Sequence, residues 1–347
     1  MTSPLARLTS QRWKMLAVPV SGAIVLTLLY AAAPGRLTLG SLNQLSTLLI
    51  LLSIAQAWNL IGGYGGQILL GVGAFVGTGG YVTTLVLSHS SLTEVPALAL
   101  ASLGGALLAA IVAYPLFRLR GPYFAVGSLA LTLSIQAWMG NWDYSGGTQP
   151  ISPPFTRVPG PETLYRMAVV LAGIAMLTVW LVRQSNFGLR LMAVRDAEAA
   201  AEGAGVLTFR TKVGAFLLTG MIMGLAGGVS ALQTTAIDPG TSFGLTWTID
   251  AIVMTVVGGM GTLLGPLVGT IVVYYGIETQ LETTGAWSQF ITGALLLLVV
   301  RFAPLGLWPH AQDLARRALM FGRRSMPPPQ GGPGNTAGIN RASGLEA

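Results

Sequence analysis

The stretch whose reading decides the fold runs Trp247-Thr-Ile-Asp250-Ala-Ile-Val-Met-Thr-Val-Val-Gly258-Gly-Met-Gly-Thr-Leu-Leu-Gly265-Pro-Leu-Val-Gly269-Thr-Ile-Val-Val-Tyr-Tyr-Gly-Ile-Glu278-Thr-Gln-Leu281. As one helix it would be about 52 Å long, against a hydrocarbon core of about 30 Å. That is too much for one crossing without strong tilt. Gly258-Gly259-Met260-Gly261 and then Gly265-Pro266 interrupt it, so it divides into spans at 247–262 and 264–281. Further apolar stretches lie upstream at 15–33, 42–61, 67–88, 95–117, 122–140, 164–183 and 213–236, and one follows at 286–303. With the division made, the expected fold is all-α: a polytopic membrane protein of about ten transmembrane helices, both termini on one side.

Charge supports the even number. Of 19 Lys and Arg, all but Arg36, Arg157 and Arg166 fall on the side of the termini. The opposite side receives Glu94, Asp143, Glu162, Asp238, Asp250, Glu278 and Glu282. The positive-inside rule then puts both termini in the cytoplasm. Nine spans would export Arg316, Arg317, Arg323 and Arg324. The net charge of +7 is thereby accounted for by topology, and no nucleic-acid role is needed. Composition agrees, with 9% charged and 52% hydrophobic residues and a mean hydropathy of +0.66. A soluble domain carries about 25% charged residues. The first span competes with a secretory signal, since Ala31-Ala32-Ala33 resembles a cleavage site. It exceeds the about 7–15 residues of a signal core, so it is read as a retained helix. The expected organisation is a cytoplasmic tail at 1–14, a transmembrane domain at 15–303 with an inner segment at 184–212, and a cytoplasmic tail at 304–347. The tail's Pro327-Pro328-Pro329 and Gly331-Gly332-Pro333-Gly334 predict disorder after about 321. The outer segment 141–163 reads equally as an ordered docking loop and as a plain connector.

Chemistry-bearing motifs are few. There is no Cys, which excludes disulfides and a thiol nucleophile. The two lysines, Lys14 and Lys212, sit in no phosphate loop, and His89 and His310 lie near opposite faces. No catalytic constellation, cofactor motif or metal-ligand set is read. The informative residues are polar groups in or near spans: Asn59, Gln67, Gln136, Asn141 and Gln233, with Asp250 about one turn inside its span. Against lipid these are costly, so each faces either another helix or a cavity. Asn59, Gln67, Gln136, Gln233 and Asp250 are the candidates for a translocation path. Gly-Gly-x-Gly opens both Gly62–Gly65 and Gly258–Gly261, and each joins two spans on the inner side. Either related halves or shared composition accounts for that.

The inner segment Asn186-Phe-Gly-Leu-Arg190-Leu-Met-Ala-Val-Arg195-Asp-Ala-Glu198-Ala-Ala-Ala-Glu202-Gly-Ala-Gly205 favours helix and ends in glycines. It suits either a helix docking into a partner's groove or a solvated connector. The expectation is one short helix over Arg190–Gly205. Leu191 and Val194 would be its apolar anchors and Arg195, Asp196, Glu198 and Glu202 a polar rim. Gly205 would take a positive φ at the end.

Three ordered motifs resemble the LivM-type permeases of branched-chain amino acid ABC importers. They are Trp58-Asn-Leu-Ile-Gly-Gly-Tyr-Gly-Gly-Gln67-Ile-Leu-Leu-Gly71-x-x-Ala74-Phe75, the inner loop Phe187-Gly-Leu-Arg190 through Gly205-Val206, and Thr248-Ile-Asp250 through Pro266. The chain departs from the family's frequent Gly-His-Ala-Ala-Phe with Gly71-Val72-Gly73-Ala74-Phe75. The resemblance implies a permease subunit in the bacterial inner membrane. Its implied partners are a LivH-like permease, two cytoplasmic ABC ATPases that the inner loop contacts, and an extracytoplasmic solute-binding protein. The implied cargo is a branched-chain amino acid; urea, short amides and other amino acids are carried by related permeases. The alternative of another class is a stand-alone secondary transporter or channel, which the absence of a central carboxylate pair weakens.

Overall fold

The computed structural model describes residues 38–119, 121–278, 306–310 and 312. The expected spans at 15–33 and 286–303, and the expected disordered tail, lie outside the described residues. Among the described residues the elements are helical: α1 (Leu39–Trp58), α2 (Val72–His89), α3 (Glu94–Phe117), α4 (Pro122–Gly140), α5 (Pro161–Gln184), α6 (Asn186–Asp196), α7 (Glu198–Gly203), α8 (Thr208–Thr234), α9 (Pro239–Ser242), α10 (Thr246–Gly258) and α11 (Gly265–Val273). The one extended pairing described is an isolated antiparallel bridge between Ile151 and Ile237. Among the described residues, five helical stretches are long and apolar enough to cross a membrane: 39–64, 94–117, 161–184, 208–234 and 239–258.

Two helices form the centre. α1 is almost wholly enclosed, and α8 nearly so. α8 lies close against α2 and α3 because glycines remove the side chains between them. A Cβ at Gly79 would overlap the Gly224 carbonyl, one at Gly227 the Val76 carbonyl, and one at Gly105 the Gly220 carbonyl. Such contacts drive association where lipid leaves no hydrophobic gain between helices. The peripheral helices instead expose apolar stripes at helical spacing: Leu100, Leu103, Leu107 and Ile111 on α3, and Val170, Ile174, Leu177 and Leu181 on α5. Those faces suit acyl chains.

Three expectations need correction. The span expected at 67–88 starts only at Val72, and residues 65–71 are unwound. Their backbone groups are taken up by side chains instead: Trp58 Nε1 donates to Leu69 O (2.8 Å), Thr248 Oγ1 to Leu70 O (2.9 Å), and Leu70 N to Ser128 Oγ (3.0 Å). Leu69 and Gly71 are buried within the protein, whereas Gly66 and Ile68 are exposed. The helix expected from 213 begins at Thr208, one turn earlier, and carries Lys212 in buried form. The single inner helix is two, α6 and α7, broken at an extended Ala197 (φ −158°, ψ 93°).

The glycine-rich stretch does divide. α10 ends at Gly258 and α11 starts at Gly265, 13 and 9 residues long, and α11 continues as a π-helical turn from Tyr274 to Glu278. The two pack backbone against backbone: a Cβ at Gly258 would overlap Gly265 O, and one at Gly269 would overlap Met254 O. At about 20 Å, α10 alone falls short of a full crossing.

Candidate functional site

The end of the bundle bearing α6 and α7 brings both Gly-Gly-x-Gly segments together. α1 widens into a π-helical turn over Asn59–Tyr64, which aims the fully buried Asn59 side chain sideways. Its Nδ2 donates to Thr262 O (2.8 Å) and its Oδ1 accepts from Gly261 N (2.8 Å). One carboxamide thus takes one acceptor and one donor of the 259–264 turn, as a peptide in a sheet would. Three residues earlier, Gln56 Nε2 donates to Leu263 O (2.8 Å). Gly63 leaves no room between the segments, since a Cβ there would stand 2.6 Å from Gly261 N. Thr262 Oγ1 accepts from Gly265 N (3.0 Å) and donates to Gly259 O (2.8 Å), closing the turn that starts α11.

α6 reaches this joint. Arg195 Nη1 donates to Gly63 O (3.1 Å), and Asp196 Oδ1 accepts from Arg195 Nε (2.9 Å) and orients the guanidinium. Leu191 and Val194 are buried within this chain, with Leu191 Cδ1 3.3 Å from the place a Cβ on Gly65 would take. They anchor α6 to its own chain rather than facing outward. The exposed residues include Leu189, Arg190, Asp196, Glu198, Glu202 and Gly205, then Leu207 and Arg210, and Arg195 keeps 36% of its side chain exposed. Gly205 has the positive φ expected of it, 83°.

Between α7, α8 and the α3–α4 turn lies a cleft of about 460 Å³. Gln67, Phe117, Phe209, Glu198, Glu202 and Lys212 line it. Glu198 Oε1 accepts from the buried Lys212 Nζ (2.6 Å), and Glu202 Oε1 from Thr208 Oγ1 (2.6 Å).

The candidate path residues therefore do not form one site. Asn59 clamps the joint and Gln67 lines the cleft. Gln136 is half-buried on α4 and Asp250 half-buried on α10. Gln233 sits at the far end of α1, its Nε2 donating to Asn43 Oδ1 (2.6 Å) and Thr47 Oγ1 (2.8 Å). From Asn43 to Asn59 is about 24 Å of helix. Gln56, Trp58, Ser128, Thr248 and Thr262 were missed by sequence reading. The i, i+3 spacing of Gln56 and Asn59 was the available signal, since it puts two amides on one face.

At that far end the 141–163 segment is ordered. Ile151 and Ile237 exchange two backbone bonds of 2.9 Å, and Arg157 Nη1 donates to Leu87 O (2.9 Å) and to Ser90 O. Asp238 caps α9. The Thr241 hydroxyl, and then its N–H, hold the Asp238 carboxyl below the usual carboxylate range despite partial burial.

Long apolar helices around an unwound segment and two half-length helices describe a multi-pass membrane protein. The chain belongs to the family described as branched-chain amino acid transport system / permease component, whose model matches residues 37–300. It is 24% identical to the high-affinity branched-chain amino acid transport system permease protein LivM of Salmonella typhimurium, over 82% of this chain and 74% of that one. It is 28% identical to the autoinducer 2 import system permease protein LsrC of Enterobacter sp., over 82% of this chain and 84% of that one. A shorter match, 33% identical over 35% of this chain and 38% of the relative, is to the L-arabinose ABC transporter permease protein AraH of Azospirillum brasilense. No solved structure matches the chain.

Proposed function

We propose that the chain is the membrane-spanning subunit of an ATP-driven importer in the bacterial inner membrane, passing branched-chain amino acids or similar small solutes inward. An extracytoplasmic binding protein delivers the solute, a LivH-like permease forms the other half of the pathway, and two cytoplasmic ABC ATPases supply the energy. The chain has ten spans and both termini inside, which puts α6 and α7 in the cytoplasm. The observation that carries this reading is the α6–α7 surface. It is fastened from behind by Leu191 and Val194, and presents Leu189, Arg190 and Leu207 outward with Asp196, Glu198, Glu202 and Gly205 around them. A firmly backed apolar-and-charged patch is what a partner that pushes requires. Gln67, Gln136 and Asp250 remain the residues proposed for the path, whereas Asn59 and Gln233 have their amides engaged. A second reading, a sugar-like solute, is favoured by the autoinducer 2 and arabinose permeases among the relatives.

The test is uptake into proteoliposomes holding the complete complex, with leucine, isoleucine, valine, urea, acetamide and L-arabinose each offered with the binding protein. Uptake that depends on ATP and on the ATPase subunits is expected for one amino acid. Equal uptake by the chain alone, without ATPase or nucleotide, would establish a stand-alone transporter instead.

A further inference from the structure

The joint between the two glycine-rich turns lies directly beneath α6, and α6 is bonded to it. The Arg195 guanidinium supplies the one hydrogen bond described between α6 and these turns. Its stem also covers Gly66, where a Cβ would come within 2.6 Å of Arg195 Cγ. The other contact, Leu191 against Gly65, is apolar and carries no directional bond. A hydrogen bond is directional and weakens steeply when bent. From Gly63 the connection passes at once to the other turn, through Asn59 and the direct approach of Gly63 to Gly261. Two bonds from one planar amide resist rotation as well as translation. Beyond that turn, α10 and α11 touch backbone to backbone, so a shift of the turn must carry both helices or separate them.

We propose that Arg195 and Asn59 are the positioning residues through which a displacement of α6–α7 reaches the α10–α11 hairpin. The proposal deepens the importer reading and rests on it. Arg195 is then an inward-facing arm, rather than part of the rim a partner touches. Asp196 holds that arm in place, accepting from Nε (2.9 Å) and Nη2 (2.8 Å). The Gly62–Gly65 and Gly258–Gly261 segments are the two faces of one hinge. Packed elements of this kind move between discrete arrangements and do not deform continuously.

The experiment uses the complete complex in proteoliposomes with Arg195→Ala, Arg195→Gln and Asn59→Asp. The last keeps the acceptor for Gly261 N and removes the donor to Thr262 O. Solute moved per ATP hydrolysed is measured, together with recovery of the ATPase subunits on purification. The chain has no Cys, so Ala193→Cys and Met260→Cys give a unique pair of spin-label sites on α6 and on the turn, both exposed. In the parent chain the Ala193–Met260 distance is expected to be the same with and without ATP, because the two move together. In Arg195→Ala it is expected to broaden, while solute per ATP falls about tenfold, within the usual span of coupling free energies between sites, and the ATPases co-purify as before. A purely structural role would lower recovery and leave the ratio intact. Unchanged solute per ATP in Arg195→Ala overturns the proposal. If Asn59→Asp does not fold, the Arg195 variants decide, since that side chain is 36% exposed. If the unmodified complex shows no ATP-driven uptake, the importer reading itself falls; the spin-label distances in the permease still report whether Arg195 ties α6 to the turn.

Discussion

At the scale of single residues, the unwound stretch 65–71 survives because its polar backbone groups find side chains. Ser128 is the strictest case. Its Oγ accepts from Leu70 N (3.0 Å) and donates to Ala125 O (2.8 Å), and the residue is fully buried. Ser128→Ala would strand the Leu70 N–H, at a cost of about 1–3 kcal/mol. Ser134→Ala removes only a bond back to Ala130 O on an exposed face, and is expected to cost under about 0.5 kcal/mol. Thermal unfolding of the two variants in one detergent checks the difference; equal melting temperatures would contradict the role given to Ser128. Little of this was legible beforehand. Ile68, Leu69 and Leu70 raise the local hydropathy as any helix would, and nothing in the sequence says that the Leu69 and Leu70 carbonyls accept from Trp58 and Thr248. Asn59 could be picked out as a buried amide. Its partners could not, because they lie 202 and 203 residues away.

At the scale of elements, helix breaks marked by glycine and proline were readable, and breaks set by tertiary pairing were not. Gly258 and Gly265-Pro266 announced the end of α10 and the start of α11. Ala197, a good helix former, gave no sign of the break between α6 and α7. The cause is Lys212. A buried ammonium needs a carboxylate, and the kink at Ala197 turns Glu198 onto it at 2.6 Å. The α6 helix itself was expected, but its buried face was assigned to a partner and belongs to this chain. This separates two variants. Leu191→Asp buries an unpaired carboxylate and should unseat α6, lowering the yield of folded permease before any partner is added. Leu189→Asp changes a side chain 59% exposed; the permease should fold normally and recover at least about fivefold less ATPase, the effect of losing an interface anchor. Normal folding of Leu191→Asp, measured by size-exclusion profile and melting, would contradict the packing described for α6.

At the scale of the whole molecule, hydropathy and charge carry most of what could be known from sequence. Apolar lengths located α1, α3, α4 and α5 to within about three residues, because a bilayer imposes one length on every crossing. From the charge split we propose that both termini lie in the cytoplasm. Reporters fused after residue 347 are expected to be active only if they function inside the cell, and one inserted between the exposed Thr148 and Gln149 only if it functions outside. The reverse pattern would reject the orientation and, with it, the cytoplasmic position of α6 and α7.

The glycine packing has a consequence for how this chain can vary. Its 46 glycines are not equivalent to mutation. At Gly63, Gly79, Gly227, Gly258 and Gly269 an added methyl group meets neighbouring backbone, or the clamped Asn59 amide, that has nowhere to go. At Gly40, Gly160 and Gly203 it meets open space. In a saturation library selected for growth on the transported solute, alanine should be recovered freely at the second group and almost never at the first. At Gly63, Gly79 and Gly227 the contact joins two distant stretches of the gene, and at Gly258 and Gly269 two neighbouring ones; in either case a lineage cannot enlarge one side unless the other retreats in the same step. The bundle's tightest contacts are thus also its narrowest evolutionary passages, and variation is steered toward the lipid-facing stripes and the surface loops.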